Sequence, residues 1–131
     1  MKQEFSTKWK ASSQPRKQRK YIHNAPLHVA RKFMASTLDK ILRKKYGMRN
    51  IEVRKGDEVK IMVGKFKKKQ GKVSLVQTMK SRVAVEGIQH SKKDGTKVNV
   101  WFHPSNLKIL VLNEDDKKRL KKSEVKSGEN K

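Results

Sequence analysis

The strongest chemical signal in this chain is a cluster of four lysines within five positions, Lys65, Lys67, Lys68 and Lys69. So dense a group of like charges cannot belong to a core, and it is typical of a surface that faces phosphates. Phe66 interrupts the cluster and supplies a ring that can stack on a base or a ribose. Gly64 and Gly71 bracket the segment, and because glycine tolerates positive φ and close backbone approach, they predict a tight, shaped loop. These residue types indicate recognition of a polyanion.

Other kinds of chemistry find little support in the residue types. The chain has 12 acidic residues, and three of them are adjacent at 114–116, where the dipole of a predicted helix accounts for them. It has no cysteine, which excludes disulfides, thiolate nucleophiles and thiolate zinc sites. His23 and His28 lack partners at metal-ligand spacing, and the glycine-bounded loop lacks the Walker spacing. We therefore expect no enzyme, no metal, no cofactor and no small-molecule substrate.

The overall charge points to the same kind of partner. The 35 Lys and Arg residues against 12 acidic ones give a formal charge of +23, which opposes a compact state unless a polyanion neutralises it. Hydrophobic residues make up only 34%, so the core should be small and much of the chain should order on its partner. No apolar run approaches the roughly 20 residues of a membrane span, and the first residues lack a signal-peptide core. We expect an intracellular protein that binds nucleic acid and no membrane.

Short strands must position the loop. Val59, Ile61 and Val63 alternate with polar residues, the period of a strand with one buried face. Between Val73 and Val76 the alternation slips by one residue, which predicts a bulge near Ser74. Later inward faces are expected from Val83 and Val85, from Val98, Val100 and Phe102, and from Leu107, Ile109 and Val111. Five or six strands, suited to a small SH3-like barrel, are predicted at about 51–54, 58–63, 71–78, 82–86, 97–102 and 107–112.

Three further parts should flank this barrel, which occupies residues 51–113. Residues 1–20 are basic without an apolar period and predict an extended arm, which is either a disordered tail or localisation patch or a segment that folds into RNA grooves. Residues 21–50 predict two short helices packing on the barrel, one after Pro26 and one capped by Ser36-Thr37 and ended by Gly47. Residues 114–131 predict a helix to about Lys122 and then a disordered tail.

The stretch GDEVKIMVGKFKKKQGKV at 56–73 resembles the KOW motif, a strand, a glycine (here Gly64) and a second strand, found in ribosomal proteins and transcription elongation factors. Its flanks narrow the resemblance: KQRKYIHNAPLH at 17–28, LRKKYGMRNIEVRKGD at 42–57, VEGI at 85–88, DGTKV at 94–98 and HPSNLKI at 103–109. Over residues 14–122 the chain is similar to the universal KOW protein of the large ribosomal subunit, number twenty-four in the universal naming, in its archaeal and eukaryotic form. It departs from that family at Lys68, where a second glycine is usual.

The resemblance implies a mainly β fold, a small SH3-like barrel with short flanking helices, and a structural role. It implies contact with the 5′ region of the large-subunit ribosomal RNA, support of subunit assembly, and a place near the peptide exit tunnel beside neighbouring large-subunit proteins. The expected location is the cytoplasm, in the ribosome, with nucleolar assembly if the source is eukaryotic. The alternative is a KOW-type transcription or chromatin protein that binds nucleic acid, which would leave the NAPLH and HPSN flanks unexplained.

The HPSN turn at 103–106 interrupts the last two strands, because Pro104 cannot continue central pairing. It is either a plain connection or a source of hydrogen bonds to sugar and phosphate oxygens beside the basic loop. The candidate RNA-binding residues are basic, aromatic and polar side chains of the arm, helices, loop and turns: Arg16, Lys17, Arg19, Lys20, Tyr21, His23, Asn24, Arg31, Lys32, Arg49, Arg54, Lys65, Phe66, Lys67, Lys68, Lys69, Lys72, Lys80, Arg82, His103, Ser105 and Asn106.

Overall fold

The computed structural model describes residues 5–116 and 118–120. Within this part of the chain there are seven strands, β1 (Ala35–Leu38), β2 (Asn50–Glu52), β3 (Glu58–Ile61), β4 (Gln70–Gln77), β5 (Arg82–Ser91), β6 (Lys97–Phe102) and β7 (Leu107–Val111). The α-helices are α1 (Pro15–Asn24), α2 (Leu27–Ala30) and α3 (Lys40–Tyr46), and residues 118–120 are also helical. Short 3-10 helices cover Thr7–Ala11, Arg31–Met34 and Pro104–Asn106.

The strands form one sheet in the order β2-β1-β7-β3-β4-β5-β6. β1 runs parallel to β7, and all the other neighbours are antiparallel. The sheet is open, with β2 and β6 at its edges in the described chain. The mainly β, SH3-like fold with short helices is thus confirmed as a barrel-like sheet that does not close.

The predicted bulge in β4 is confirmed, since the pairing of β4 with β5 shifts register between Val73 and Leu75. The sequence does not predict a second irregularity, in which β3 pairs with β7 through a shift that sets Glu58 opposite Val111 and Val59 opposite Ile109. The extra residue turns Val111 out to solvent, 54% exposed, and brings Leu112 into the core. The expected inward face of Val111 is therefore wrong.

The core lies on one face of the sheet and under the short helices. It is built from the fully buried side chains of β3, β4, β5 and β7, together with Met34 and Leu38 from the N-terminal part. β3 ends at Ile61, two residues earlier than predicted, so Val63 is 58% exposed and not part of the predicted inward face. Gly71, the second residue of β4, lies close to β5, since a Cβ there would meet the Val85 side chain at 2.8 Å and the Glu86 carbonyl oxygen at 2.9 Å.

The two predicted helices of residues 21–50 are only partly right. Gly47 does end α3 in the left-handed conformation, with φ of 61°. However, Ser36 and Thr37 do not cap that helix, because they belong to β1, which pairs with β2 and β7. Ser36 is buried and its hydroxyl donates to the Pro104 carbonyl, which satisfies the serine inside the fold rather than at a helix end.

The basic arm is not extended where the structure describes it. Pro15 opens α1 at the position where its missing N–H costs nothing. The side-chain amide of Gln18 donates to the carbonyl oxygens of Trp9 at 2.9 Å and Ser12 at 2.6 Å, and so folds the preceding 3-10 helix back onto α1. Tyr21 is buried with its ring 5.8 Å from that of Phe33. An apolar anchor and a few backbone contacts thus order a segment whose composition predicts no order.

The C-terminal part also departs from its prediction. Asp116 lies before the helical residues 118–120, and its carboxylate accepts the N–H of Lys118 at 2.9 Å. Residues 114–116 are not helical, so the acidic residues precede the helix instead of forming its first turn. The predicted extension to Lys122 and the disordered tail from Ser123 lie outside the described residues.

Candidate nucleic-acid interface

The basic loop, residues 64–69, connects β3 to β4 as a closed hairpin. The Ile61 N–H donates to the Lys69 carbonyl at 2.9 Å, and the Lys68 N–H donates to the Ile61 carbonyl at 2.8 Å. Gly64 adopts a φ of 92° at the turn into the loop, which only glycine accepts without strain. The four lysine side chains are all exposed. The predicted tight, shaped loop is therefore present, with a pinned backbone and an outward cationic surface.

Lys68 has an unusual backbone conformation within the basic loop. Its φ is 74°, in the left-handed region that favours glycine. The backbone shape that a glycine would give at this position is thus retained by a lysine, and the loop gains a fourth positive charge at the expense of local strain.

Phe66 also packs on the core from within the loop. Its side chain is half-buried and packs edge-on against Phe102, with 6.1 Å between ring centroids. The Lys69 ammonium lies 5.4 Å from the Phe66 centroid. The ring therefore anchors the loop on the core, and its stacking on a base or a ribose stays a prediction.

The HPSN turn lies directly beside the base of the loop, because the Met62 N–H donates to the Asn106 carbonyl at 2.9 Å. Within the turn the Ser105 N–H donates to His103 Nδ1, and the Ser105 hydroxyl lies 2.7 Å from the same atom. An Nδ1 that accepts from a backbone N–H places the proton of a neutral imidazole on Nε2. His103 and Ser105 are exposed, so the turn can present both a donor and a hydroxyl next to the lysines.

A groove of about 590 Å³ continues the surface on the far side of His103. It lies between α1, the turn that joins β4 to β5, and His103, and it brings Lys80 and Arg82 together with the N-terminal segment. On α1 itself, Arg16, Arg19 and His23 are exposed and Lys17, Lys20 and Asn24 are half-buried. Tyr21 is buried against Phe5 and Phe33, so it forms the floor of the groove and does not project a free ring.

Other candidate residues are not joined to this surface by any described contact. Arg31 lines a second groove with Arg54 and Asp116, and Lys32 lines a third with Lys118. Arg49 and Lys72 are exposed. Arg31 and Lys32 thus line grooves other than the one beside His103, and RNA contact by these residues stays a prediction.

Arg54 is engaged inside the chain. Its guanidinium forms an ion pair with the Asp116 carboxylate, and both side chains remain partly exposed. The hydrogen bond from Arg54, followed by the bond from the Lys118 N–H, holds the pKa of Asp116 below its usual value. The positive charge of Arg54 is thus paired with a carboxylate of the C-terminal segment.

A buried ion pair that the sequence does not predict fastens this segment, and we call it the C-terminal latch. Arg119 and Asp57 have side chains only 3% and 0% exposed, and the guanidinium donates to both carboxylate oxygens at 2.7 and 2.6 Å. Arg119 also donates to the Glu52 carbonyl at 2.7 Å, while Asp57 accepts the N–H groups of Arg54 and Asn113. Of these two residues, only Asp57 has a local signal in the sequence that could have marked it, because it follows Gly56 at the start of a predicted strand.

Within residues 5–116 and 118–120, no three His, Asp or Glu side chains converge to hold a metal ion. No helix in the same residues is long and apolar enough to cross a membrane.

A comparison of the sequence with known families identifies its relatives. The sequence profile of the ribosomal proteins called L26 in eukaryotes, with their archaeal L24 equivalents, matches residues 12–126. The match covers most of the chain, including both strands of the hairpin, the basic loop and the C-terminal latch. The chain therefore belongs to this family of structural proteins of the large ribosomal subunit.

Proposed function

We propose that this protein binds large-subunit ribosomal RNA through the basic loop and the adjoining His103 turn. The observation that carries the proposal is the pinned hairpin with four exposed lysines on it, hydrogen-bonded at its base to a turn that presents His103 and Ser105. Lysines on a preformed backbone can meet phosphates without first ordering the chain, which reduces the entropic cost of binding. The specific target we propose is the 5′ region of the RNA.

The mechanism is electrostatic and geometric. Each phosphate neutralised by Lys or Arg releases condensed counterions, so the logarithm of the affinity should fall by about 0.9 per contact for each tenfold rise in salt on duplex-like RNA. For about ten contacts the slope approaches about −9, and it is smaller on single strands. The rigid sheet fixes where the loop and α1 meet the RNA, and these contacts position the protein without reading sequence.

In the ribosome, this role places the chain among neighbouring large-subunit proteins. We propose that it lies near the peptide exit tunnel, that it supports subunit assembly by bringing RNA segments together, and that in a eukaryote this assembly is nucleolar. The family is structural rather than enzymatic, and we propose that this chain likewise acts by binding. The mechanism calls for no cofactor, small-molecule substrate or membrane.

The loop assignment is tested by replacing Lys65, Lys67, Lys68 and Lys69 with alanine and measuring affinity for a large-subunit RNA fragment over a salt series. A matched control replaces four exposed lysines elsewhere, Lys40, Lys44, Lys92 and Lys93, and so removes the same charge. The loop variant should lower the salt slope by about 3 to 4 and bind at least about tenfold more weakly than the control. Its urea midpoint should stay close to that of the unmodified protein, since exposed changes usually cost less than about 0.5 kcal/mol each. Equal losses of affinity in the loop and control variants would contradict the assignment.

A further inference from the structure

The groove beside His103 has an apolar interior of definite shape. Tyr21 and Phe33 line it together with Ile22 of α1 and Met79 of the turn between β4 and β5. Ile22 is 51% exposed and Met79 is 65% exposed, although both are large apolar side chains. The volume of about 590 Å³ falls within the range of about 300 to 1,000 Å³ that is typical of pockets for small organic groups. The groove therefore offers room for a flat apolar body.

The rim of the groove is cationic. Lys10, Lys80 and Arg82 line it together with His103, and none of the residues that line it is acidic. The Nε2–H of a neutral His103 is free of the Ser105 contacts, which use Nδ1. An apolar interior edged by donors and positive charge complements a ligand that joins a flat ring to an anionic group.

Both walls are held by contacts within the chain. On one side, the Gln18 amide fastens the 3-10 helix to α1, and the Phe5 ring lies 5.1 Å from that of Tyr21. On the other side, Ser81 adopts a φ of 50° and its N–H donates to the Thr78 carbonyl at 3.2 Å, which closes the turn that carries Met79. A non-glycine residue in this conformation costs free energy, and such residues cluster at ligand sites. The groove is therefore preformed.

We propose that this groove receives one unstacked nucleobase of the bound RNA, with the adjoining phosphate on the Lys10, Lys80 and Arg82 rim. The inference rests on the proposed function and adds a site that reads RNA structure, where the basic loop reads only charge. Bases in a continuous duplex are covered on both faces by their neighbours and cannot enter, whereas a base splayed from a bulge or loop exposes its faces to aromatic and apolar side chains. The protein should therefore prefer RNA that has a bulged nucleotide.

The test compares two RNA hairpins with the same stem, one fully paired and one with a single bulged nucleotide, binding to the full-length protein. The groove variant is Ile22→Ser with Met79→Ser, and its control is Ile41→Ser with Met62→Ser. The control changes the same residue types at exposed positions that do not line the groove. Both variants leave every charge in place, so the ratio of the two affinities isolates the base site from the electrostatic term.

The unmodified protein and the control should bind the bulged hairpin at least about tenfold more tightly than the paired one, and the groove variant should lose most of that preference. A 4-thiouridine at the bulge should cross-link to the peptides that contain Tyr21 or Met79. Equal binding of both hairpins by the unmodified protein, a preference that survives in the groove variant, or cross-links confined to the basic loop would overturn the inference. A cross-link from Met79 to a neighbouring protein in intact subunits would also overturn it.

Failure of the base site is distinguishable from failure of the proposed function. If only the base site is wrong, both hairpins still bind with a steep salt dependence that the loop lysines determine. If the protein does not bind RNA through that surface, neither hairpin shows a loop-dependent salt slope.

Discussion

The basic loop and the C-terminal latch, which is the Asp57–Arg119 pair, use side-chain cations for opposite purposes. In the loop, four ammonium groups are exposed, and no ion pair to any of them occurs among the residues that the structure describes. In the latch, one guanidinium is buried and donates to both oxygens of a buried carboxylate. The exposed loop lysines can contribute binding free energy, because a polyanion is their natural partner. Arg119 instead contributes to the fold, where its buried charge would be costly to leave without a partner.

The difference shows that not all of the 35 Lys and Arg residues are available to a partner. Arg54 and Lys108 join Arg119 in ion pairs with Asp116 and Asp39. Arg54, Lys108 and Arg119 are thus paired with carboxylates within the chain, whereas the loop lysines are paired with none of the acidic residues that the structure describes. The two regions should therefore respond in opposite ways to mutation: stability should change at one and affinity at the other.

The largest effect is expected from Asp57→Asn. This change leaves the buried Arg119 charge without its partner, which typically costs about 3 to 5 kcal/mol of unfolding free energy. Urea denaturation measures this loss. The control is Asp115→Asn, which changes an exposed carboxylate of the acidic segment 114–116. Adding Arg119→Met to Asp57→Asn should restore part of the loss, because the uncompensated charge is then removed. RNA affinity per folded molecule should stay unchanged.

An Asp57→Asn protein as stable as the Asp115→Asn control would contradict this prediction. That outcome would mean that the latch does not hold the C-terminal segment. If Asp57→Asn alone does not fold, recovery of folding in the Asp57→Asn, Arg119→Met double variant still shows that the unpaired Arg119 charge is the cause.

A middle-sized effect is expected from Lys68→Gly. Relief of the left-handed strain should offset the entropy that glycine adds to the unfolded chain, whereas Lys67→Gly adds that entropy without relief. Lys68→Gly should therefore be more stable than Lys67→Gly by about 1 to 2 kcal/mol in urea denaturation. Each variant removes one loop lysine, so their salt slopes for RNA should fall equally, by about 0.9. Equal stabilities would show that the Lys68 conformation carries no strain.

The smallest effect concerns pH and the Arg54–Asp116 pair. The pKa of Asp116 is lowered in the folded protein, so its contribution to stability is present above its unfolded value of 3.8 and is lost as pH falls through the folded value. Asp116→Asn should be slightly less stable than the unmodified protein at pH 6, and the difference should vanish at low pH. Thermal unfolding from pH 6 to pH 2.5, with Asp115→Asn as the control, measures this difference. A constant difference over the whole range would exclude the Asp116 carboxylate as its source.

The sequence predicts the hairpin well because its signals are local. Alternation of apolar residues places β3, and the slip in the pattern places the β4 bulge, which the register with β5 then shows. Gly64 and Gly71 mark a positive φ and a close backbone approach, and both features are present. The exposure of the loop follows from its residue types alone, because four neighbouring lysines cannot be buried together.

The features that the sequence could not predict are contacts between residues that lie far apart in the chain. Nothing local links Asp57 to a guanidinium 62 residues later, or Ser36 to the carbonyl of Pro104. The sequence around Phe66 likewise gives no signal of its contact with Phe102, which only the fold shows. The ordering of the arm by Gln18 and Tyr21 likewise depends on tertiary contacts that override a charged, low-hydrophobicity segment.

We propose that the exposed loop lysines hold the protein on large-subunit RNA. The most direct test expresses the unmodified chain, the loop variant and the four-lysine control in cells and follows each through density gradients at low and moderate salt. The unmodified chain and the control should sediment with the large subunit at both salt concentrations, and the loop variant should move to the top of the gradient as salt rises. A loop variant that stays with the subunit at both concentrations, or an unmodified chain that sediments with RNA polymerase or DNA, would contradict the claim.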